Sequence, residues 1–206
     1  MQDTYAQRYR DYPVREPLEV ANVNDELTLQ TIERVRPSLV VVSGTNIVGS
    51  RVIEASKALG EIVNLHTGIS PYVRGGPNCT NWCLAKKWFH LIGNTVMWLD
   101  RGVDTGKIIA TEQTPLSGDE TLYDLQFKVM EHAHDLYRRC LLAIDSARDE
   151  VSAIPQTSLG EGVEFRNTDW GALAMVAATL NHRFYYRGQL PGSPHPGLRL
   201  VPLPSR

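Results

Sequence analysis

The chain of 206 residues has no long apolar run. No stretch approaches the roughly 20 residues that a bilayer-spanning helix needs, so no membrane span is expected. Its first residues, "MQDTYAQRYRDYPVREPLEV", are polar and charged, which argues against a signal peptide. Cysteine is scarce: Cys79, Cys83 and Cys140 form an odd set and read as free thiols in a reducing cytoplasm. Charge of one sign is also missing. Lys and Arg number 21 against 23 Asp and Glu, for a net charge of -2, and no basic run offers a nucleic-acid footprint. No G-x-S-x-G motif provides a nucleophile. Cys79, Cys83, His66 and His90 could enter a zinc site, but no second Cys/His pair stands at a recognised spacing, so no metal is expected. His132 and His134, two apart on a helix, point to different faces and make poor co-ligands. The two cysteines of "NCTNWC" read instead as small core residues.

What is present is 42% hydrophobic residues, enough for a sizeable core, arranged in alternating strand and helix patterns. "NDELTLQTIERVR" (24–36) predicts a helix with Leu27, Leu29, Ile32 and Val35 as its apolar positions. "SLVVVSG" (38–44) predicts a strand buried on both faces of a parallel sheet. "SRVIEASKALG" predicts a helix closed by Gly60, and "EIVNLH" (61–66) the next strand. "NCTNWCLAKKWFHL" (78–91) predicts one helix. "NTVMWLD" (94–100) and "KIIATEQ" (107–113) predict two strands joined by "RGVDTG". The longest helix is expected over 120–149, with Leu122, Leu125, Val129, Leu136, Cys140 and Ile144 as its stripe. A last helix is expected in "WGALAMVAATLNHR", then an extended tail, "GLRLVPLP".

The fold class expected is α/β, a Rossmann-like and mostly parallel sheet flanked by helices. No strand, glycine-rich turn and helix precede residue 21, so the usual first βα unit is expected to be lacking, with residues 1–20 a loose arm. Residues 1–154 read as the catalytic domain and 155–206 as a small extension for dimerisation or substrate.

Asn64 and His66 stand at i and i+2 on a strand, so both side chains share one face. They lie at the C-terminal end of that strand, where open α/β sheets place their ligands. Asn64 as a turn cap and His66 as a core histidine are about as probable on these two residues alone. The loop Gly68–Pro77 has glycines for unusual backbone angles and prolines for stiffness. Asp104, on the turn before a strand, could reach a neighbouring strand's end or be a plain turn aspartate.

The ordered set Asn64-Leu65-His66, Ser70-Pro71-Tyr72 with Arg74-Gly75, Gly93 and Thr95, then Asp104-Thr105-Gly106 with Ile108-Ile109 resembles the folate-dependent formyltransferases, over roughly 39–142. The resemblance implies transfer of a formyl group from N10-formyltetrahydrofolate to an amine. It implies Asn64, His66 and Asp104 as the catalytic trio. It implies Gly44, Thr45, Asn46, Ile47 and Val48, with Asp100 and Gly102, as the folate-binding set, and Tyr72, Arg74 and Gly75 on the substrate. The chemistry suits these residue types. Amine attack on a formyl carbon develops an oxyanion, which an amide and an imidazole N–H can stabilise, and a carboxylate beside the ring helps move the proton.

Thr67-Gly68 stands where many members carry Pro-Ser, and "NLHTGISPYVRGG" is most similar to the branch acting on nucleotide-linked amino sugars. The tail after Ile154 is short and the chain neutral for a tRNA substrate. Phosphoribosylglycinamide as the amine, or a folate-binding module without turnover, are the alternatives. Phe165, Arg166, Trp170, Arg183, Tyr185 and Tyr186 resemble the C-terminal part of sugar formyltransferases, and packing, including in a homodimer, is the expected role for most of them.

Overall fold

β-branched and apolar runs too short for helices form a four-stranded sheet in the computed structural model, which describes residues 17–187 and 197–203. Its strands are β1 (Leu39–Val42), β2 (Glu61–His66), β4 (Gly93–Trp98) and β5 (Ile108–Gln113), in the order β1-β2-β4-β5. A second sheet joins the short β3 (Val73–Gly75) and β6 (Val163–Phe165). The helices are α1 (Glu26–Val35), α2 (Ser50–Lys57), α3 (Cys79–Ala85), α4 (Leu122–Ala147) and α5 (Ala172–Asn181).

Two layers of helix cover the main sheet. The α4 stripe of Val129, Ala133, Leu136, Cys140 and Ile144 is buried. Ala133, Leu136, Cys140 and Ile144 pack with Val63, Leu65, Val96 and Ile109. On α2, Ile53 packs with Val42, Ile62 and Leu99, while Val52 meets Leu29 and Ile32 of α1. The Tyr137 hydroxyl accepts from Val42 N–H and lies 3.0 and 2.9 Å from the carbonyls of Val42 and Val63, tying β1 to β2 where the pair ends. A third core surrounds α3. Trp82 stacks on Phe165 at 4.1 Å and meets Trp170 edge-on at 4.9 Å, and Phe89 meets the buried Tyr186. The expected packing role therefore holds for Phe165, Trp170 and Tyr186. Tyr185 is instead half-exposed, with Lys87 over its ring.

The helix-flanked α/β sheet matches expectation, but the strand directions do not. Within the four-stranded sheet only β1–β2 is parallel; β2–β4 and β4–β5 are antiparallel. The physical reason lies in the connections. Residues 67–92, which include α3, leave and re-enter at one end, since His66 pairs with Thr95, and the loop 99–107 likewise returns β5 beside β4; neither link carries the chain back to the opposite end of the sheet. β1 is not buried on both faces either: Val41 is 50% exposed, because this strand has a neighbour on one side only among the described residues.

Two helix ends also differ. α2 stops at Lys57, and Gly60 is needed for another reason: a Cβ there would lie 2.0 Å from the Ser38 carbonyl oxygen. The helix expected over 78–91 ends at Ala85, and Lys87 adopts φ 58. That left-handed residue lets Trp88 N–H reach Cys83 O at 2.8 Å and turns Trp88 and Phe89 back into the aromatic core. In α1, only Leu29 and Ile32 of the four expected apolar positions are buried. Residues 1–16 of the expected arm lie outside the described residues.

The C-terminal segment crosses back over the sheet. Ile154 bridges Ile108, and Val201 exchanges 2.7 Å hydrogen bonds with Thr111, so both cover the β5 edge. Among the described residues, no helix is long and apolar enough to cross a membrane.

Candidate active site

Asn64 and His66 project from the same face of β2, as their spacing predicts, and both reach Asp104. Asn64 Nδ2 donates to Asp104 Oδ1 at 3.4 Å, and His66 Nδ1 lies 3.2 Å from Asp104 Oδ2. Gly75 N–H donates to Oδ2 as well, at 3.2 Å. The carboxylate is thus fixed by three groups from two separate segments. Asp104 itself has φ 50, a left-handed conformation that aspartate tolerates better than most residues. The turn below it depends on Gly106, where a Cβ would lie 1.6 Å from the Trp98 carbonyl oxygen. An irregularity between Val96 and Met97 in the β4–β5 pairing lies just before this turn.

His66 is 8% exposed. Its Nε2 faces Val73 O at 3.2 Å and Cys79 Sγ at 3.5 Å. Both ring nitrogens therefore have partners inside the protein, where an oxyanion donor was expected. A Cβ on Gly68 would come within 2.6 Å of Nε2, so the Thr67-Gly68 departure has a steric cause: the loop lies directly on the imidazole. Thr95, buried on β4, holds that loop by donating to Gly68 O (2.6 Å) and accepting from Ser70 N–H (3.0 Å). Burial, and then the Asp104 charge, push the Cys79 thiol far above its ordinary value; burial does the same for Cys83. Among the described residues, no cluster of three or more His, Cys, Asp or Glu is placed to hold a metal.

The predicted folate-binding residues fall on two loops, one after β1 and one between β4 and β5. Gly44 has φ 64, and Ile47 is 74% exposed. Asn22 and Asn24 brace this loop, which sequence reasoning missed: Asn46 Nδ2 donates to Asn22 Oδ1 (2.8 Å), Asn24 Nδ2 to Ile47 O (2.9 Å). Asp100 Oδ1 accepts from Gly102 N–H (3.0 Å) and Thr105 Oγ1 (2.5 Å), so Asp100 and Gly102 organise the turn that carries Asp104.

Of the three predicted substrate residues, Tyr72 has its hydroxyl against the C-terminal segment, accepting from Arg199 N–H at 2.9 Å. Gly75 has φ 85, and a Cβ there would lie 2.1 Å from Phe165 O. The Arg74 guanidinium approaches Glu164 only to 3.9 Å, and its buried Nε has no hydrogen-bond partner among the described residues. One open cavity lies away from this trio. It is a groove of about 580 Å³ between α3, β6 and α5, lined by Trp82, Lys86, Phe165 and Leu173.

The family profile described as formyl transferase matches residues 8–141, well over half of the chain. The chain belongs to the formyl transferase family. The match begins before the resemblance read from the motifs, which started near residue 39. Among relatives of this family, the methionyl-tRNA formyltransferase of Alkaliphilus oremlandii is 28% identical over 185 residues, covering 87% of this chain and 56% of that protein. The corresponding protein of Syntrophus aciditrophicus is 28% identical over 65% of this chain and 41% of its own. The chain spans about half the length of these curated relatives. Among solved structures, a sugar N-formyltransferase from a Shewanella species superposes with a TM-score of 0.59 at 20% identity, covering 78% of this chain and 65% of that one. This likeness shows the fold.

Proposed function

We propose that this protein transfers a formyl group from N10-formyltetrahydrofolate to a primary amine, the amine of a nucleotide-linked amino sugar. One observation carries the reading: in a member of the formyl transferase family, Asn64 and His66 converge on Asp104 at the C-terminal end of β2. The surroundings fit a flat, partly apolar donor. Gly44 has open space where a Cβ would be, and Ile47, on the loop after β1, and Val103, next to Asp104, leave apolar surface exposed. Gly44, Thr45, Asn46, Ile47 and Val48 would hold the folate, with the Asp100–Gly102 turn beside it.

When bound, the donor supplies the formyl carbon and a nitrogen leaving group. Asn64 has two amide N–H groups; one is on Asp104, and the second is free to meet the oxygen on which charge develops. The Asp104 carboxylate, held beside His66 Nδ1, would take the proton that the amine must shed, directly or through a water, and the proton ends on the leaving nitrogen of the donor. Arg74, with an unpartnered buried N–H, suits a phosphate of the substrate. Support for a sugar substrate comes from fold neighbours. One is the formyltransferase PseJ from Anoxybacillus kamchatkensis, solved in complex with UDP-4,6-dideoxy-4-formamido-L-AltNAc and tetrahydrofolate; it superposes with a TM-score of 0.55 at 18% identity, covering 76% of this chain and 74% of that one. The methionyl-tRNA relatives support a second amine, the aminoacyl group of a charged tRNA.

Calorimetric titration with 5-formyltetrahydrofolate, an unreactive analogue, tests the donor site; micromolar binding is expected, and no binding would sink the reading. Turnover is then compared for UDP- and dTDP-linked 4-amino sugars, glycinamide ribonucleotide and methionyl-tRNA. Formylation of the sugar alone is expected, and formylation of methionyl-tRNA alone would replace the sugar assignment.

A further inference from the structure

Gln156 opens a single 3-10 turn, Gln156–Ser158, in the C-terminal segment, 52 positions from Asp104. It is nonetheless 7% exposed, and its side chain ends beneath the Asp104 turn. Nε2 donates to two backbone carbonyls at once, Asp104 O at 2.7 Å and Gly106 O at 2.9 Å. Those two carbonyls bracket the left-handed turn on which the site depends. The placement is built from the backbone outward. Ile154 and Ile108 exchange reciprocal hydrogen bonds of 2.9 and 2.8 Å, which registers the segment against the start of β5. Gln156, two residues on from Ile154, then stands opposite residue 106, two residues back from Ile108. A glutamine is suited to this post because one amide nitrogen carries two donors and no charge.

We infer that Gln156 is a positioning residue: it holds the Asp104 turn in the conformation that presents the carboxylate to Asn64 and His66. Without its amide, the buried Gly106 carbonyl and the half-buried Asp104 carbonyl lose their donor, and the turn relaxes away from φ 50. Asp104 Oδ2 then leaves His66 Nδ1. The C-terminal segment thereby becomes part of the active site without contributing a group to the reaction. This goes beyond the catalytic trio but rests, for its kinetic arm, on the proposed formyl transfer.

The test has two independent arms on the full-length chain, using Gln156→Leu and the near-isosteric Gln156→Glu, which turns an acceptor toward both carbonyls. In the first, the ring nitrogens of His66 are followed by NMR in wild type, both variants and Asp104→Asn. The variants are expected to move the His66 signals in the direction seen for Asp104→Asn, with the fold retained in at least one of them. Signals at wild-type positions would overturn the inference. The second arm measures turnover with N10-formyltetrahydrofolate and a UDP-linked 4-amino sugar. A loss of at least about tenfold in kcat with KM nearly unchanged is expected. A rise in KM alone, with kcat kept at the wild-type value, would reduce Gln156 to a structural residue. Absence of turnover in wild type would count against formyl transfer alone, since the NMR arm needs no substrate.

Discussion

Asp104 sits at φ 50, a backbone that costs an L-residue about 1–2 kcal/mol. Hydrogen bonds from Asn64, Gly75 and His66 to its carboxylate, and from Gln156 to its carbonyl, offset that cost. The roles of the trio lead to graded expectations. Asp104→Asn keeps the shape of the side chain but loses the charge facing the ring; it and His66→Ala should abolish formyl transfer, while thermal melting shows a folded protein. Asn64→Ala should cost less, a fall in kcat of about 10²–10³ for one oxyanion donor. Near wild-type turnover in Asp104→Asn would mean that the trio is wrongly assigned. The Asn-x-His spacing made Asn64 and His66 legible, because a strand's two-residue period is a local property. Gln156 was not legible: it opens a single 3-10 turn too short to show a period, and its partners are backbone carbonyls, which leave no mark on the sequence.

At the scale of elements, the junction of α4 with the C-terminal segment turns on Glu120, whose side chain is almost fully buried. Burial opposes its charge, but hydrogen bonds from Lys128 (2.7 Å), Tyr186 (2.6 Å) and Ser117 (2.8 Å) outweigh burial and hold the carboxyl far below the usual range. The sign follows from linkage. A carboxyl depressed in the folded state stabilises the fold above its unfolded pKa, near 4.3, and that contribution is lost as pH falls below it. Urea midpoints should therefore drop between about pH 5 and pH 3 in wild type, and Glu120→Gln should begin lower and respond less to acid. A slope equal to wild type in Glu120→Gln would place the acid sensitivity elsewhere. Tyr186→Phe, which leaves Glu120 its other donors, should cost about 1.5–3 kcal/mol, the usual range for a hydrogen bond to a charged group. The same scale explains the errors at helix ends. The pattern in 78–91 is apolar enough for one helix, but the demand to bury Trp88 and Phe89 beside Phe165 and Tyr186 breaks it at Lys87.

For the whole molecule, the segment from Pro155 onward shares its core with what precedes it. Phe165 lies on Trp82, Asn181 Nδ2 donates to the carbonyls of Leu84 and Ala85, Tyr186 is buried on Phe89, and β6 pairs with β3 beside Arg74 and Gly75. Deletion after Ile154 should abolish cooperative melting, as removing several large buried aromatics costs about 3–5 kcal/mol each. An unchanged melting temperature would instead show that residues 1–154 fold as an independent domain.

By itself, the sequence determined the alternation of strands and helices, the pairing of Asn64 with His66 on one face, and the membership of these residues in a formyltransferase pattern. Each rests on local periodicity or on residue types at short spacing. The antiparallel course of β4 and β5, the closure of the Gly68 loop over the His66 ring, and the support of Asp104 by Gln156 were decided only by the tertiary structure. These depend on which distant backbones come within hydrogen-bond reach, and that reach is set by how the three cores pack.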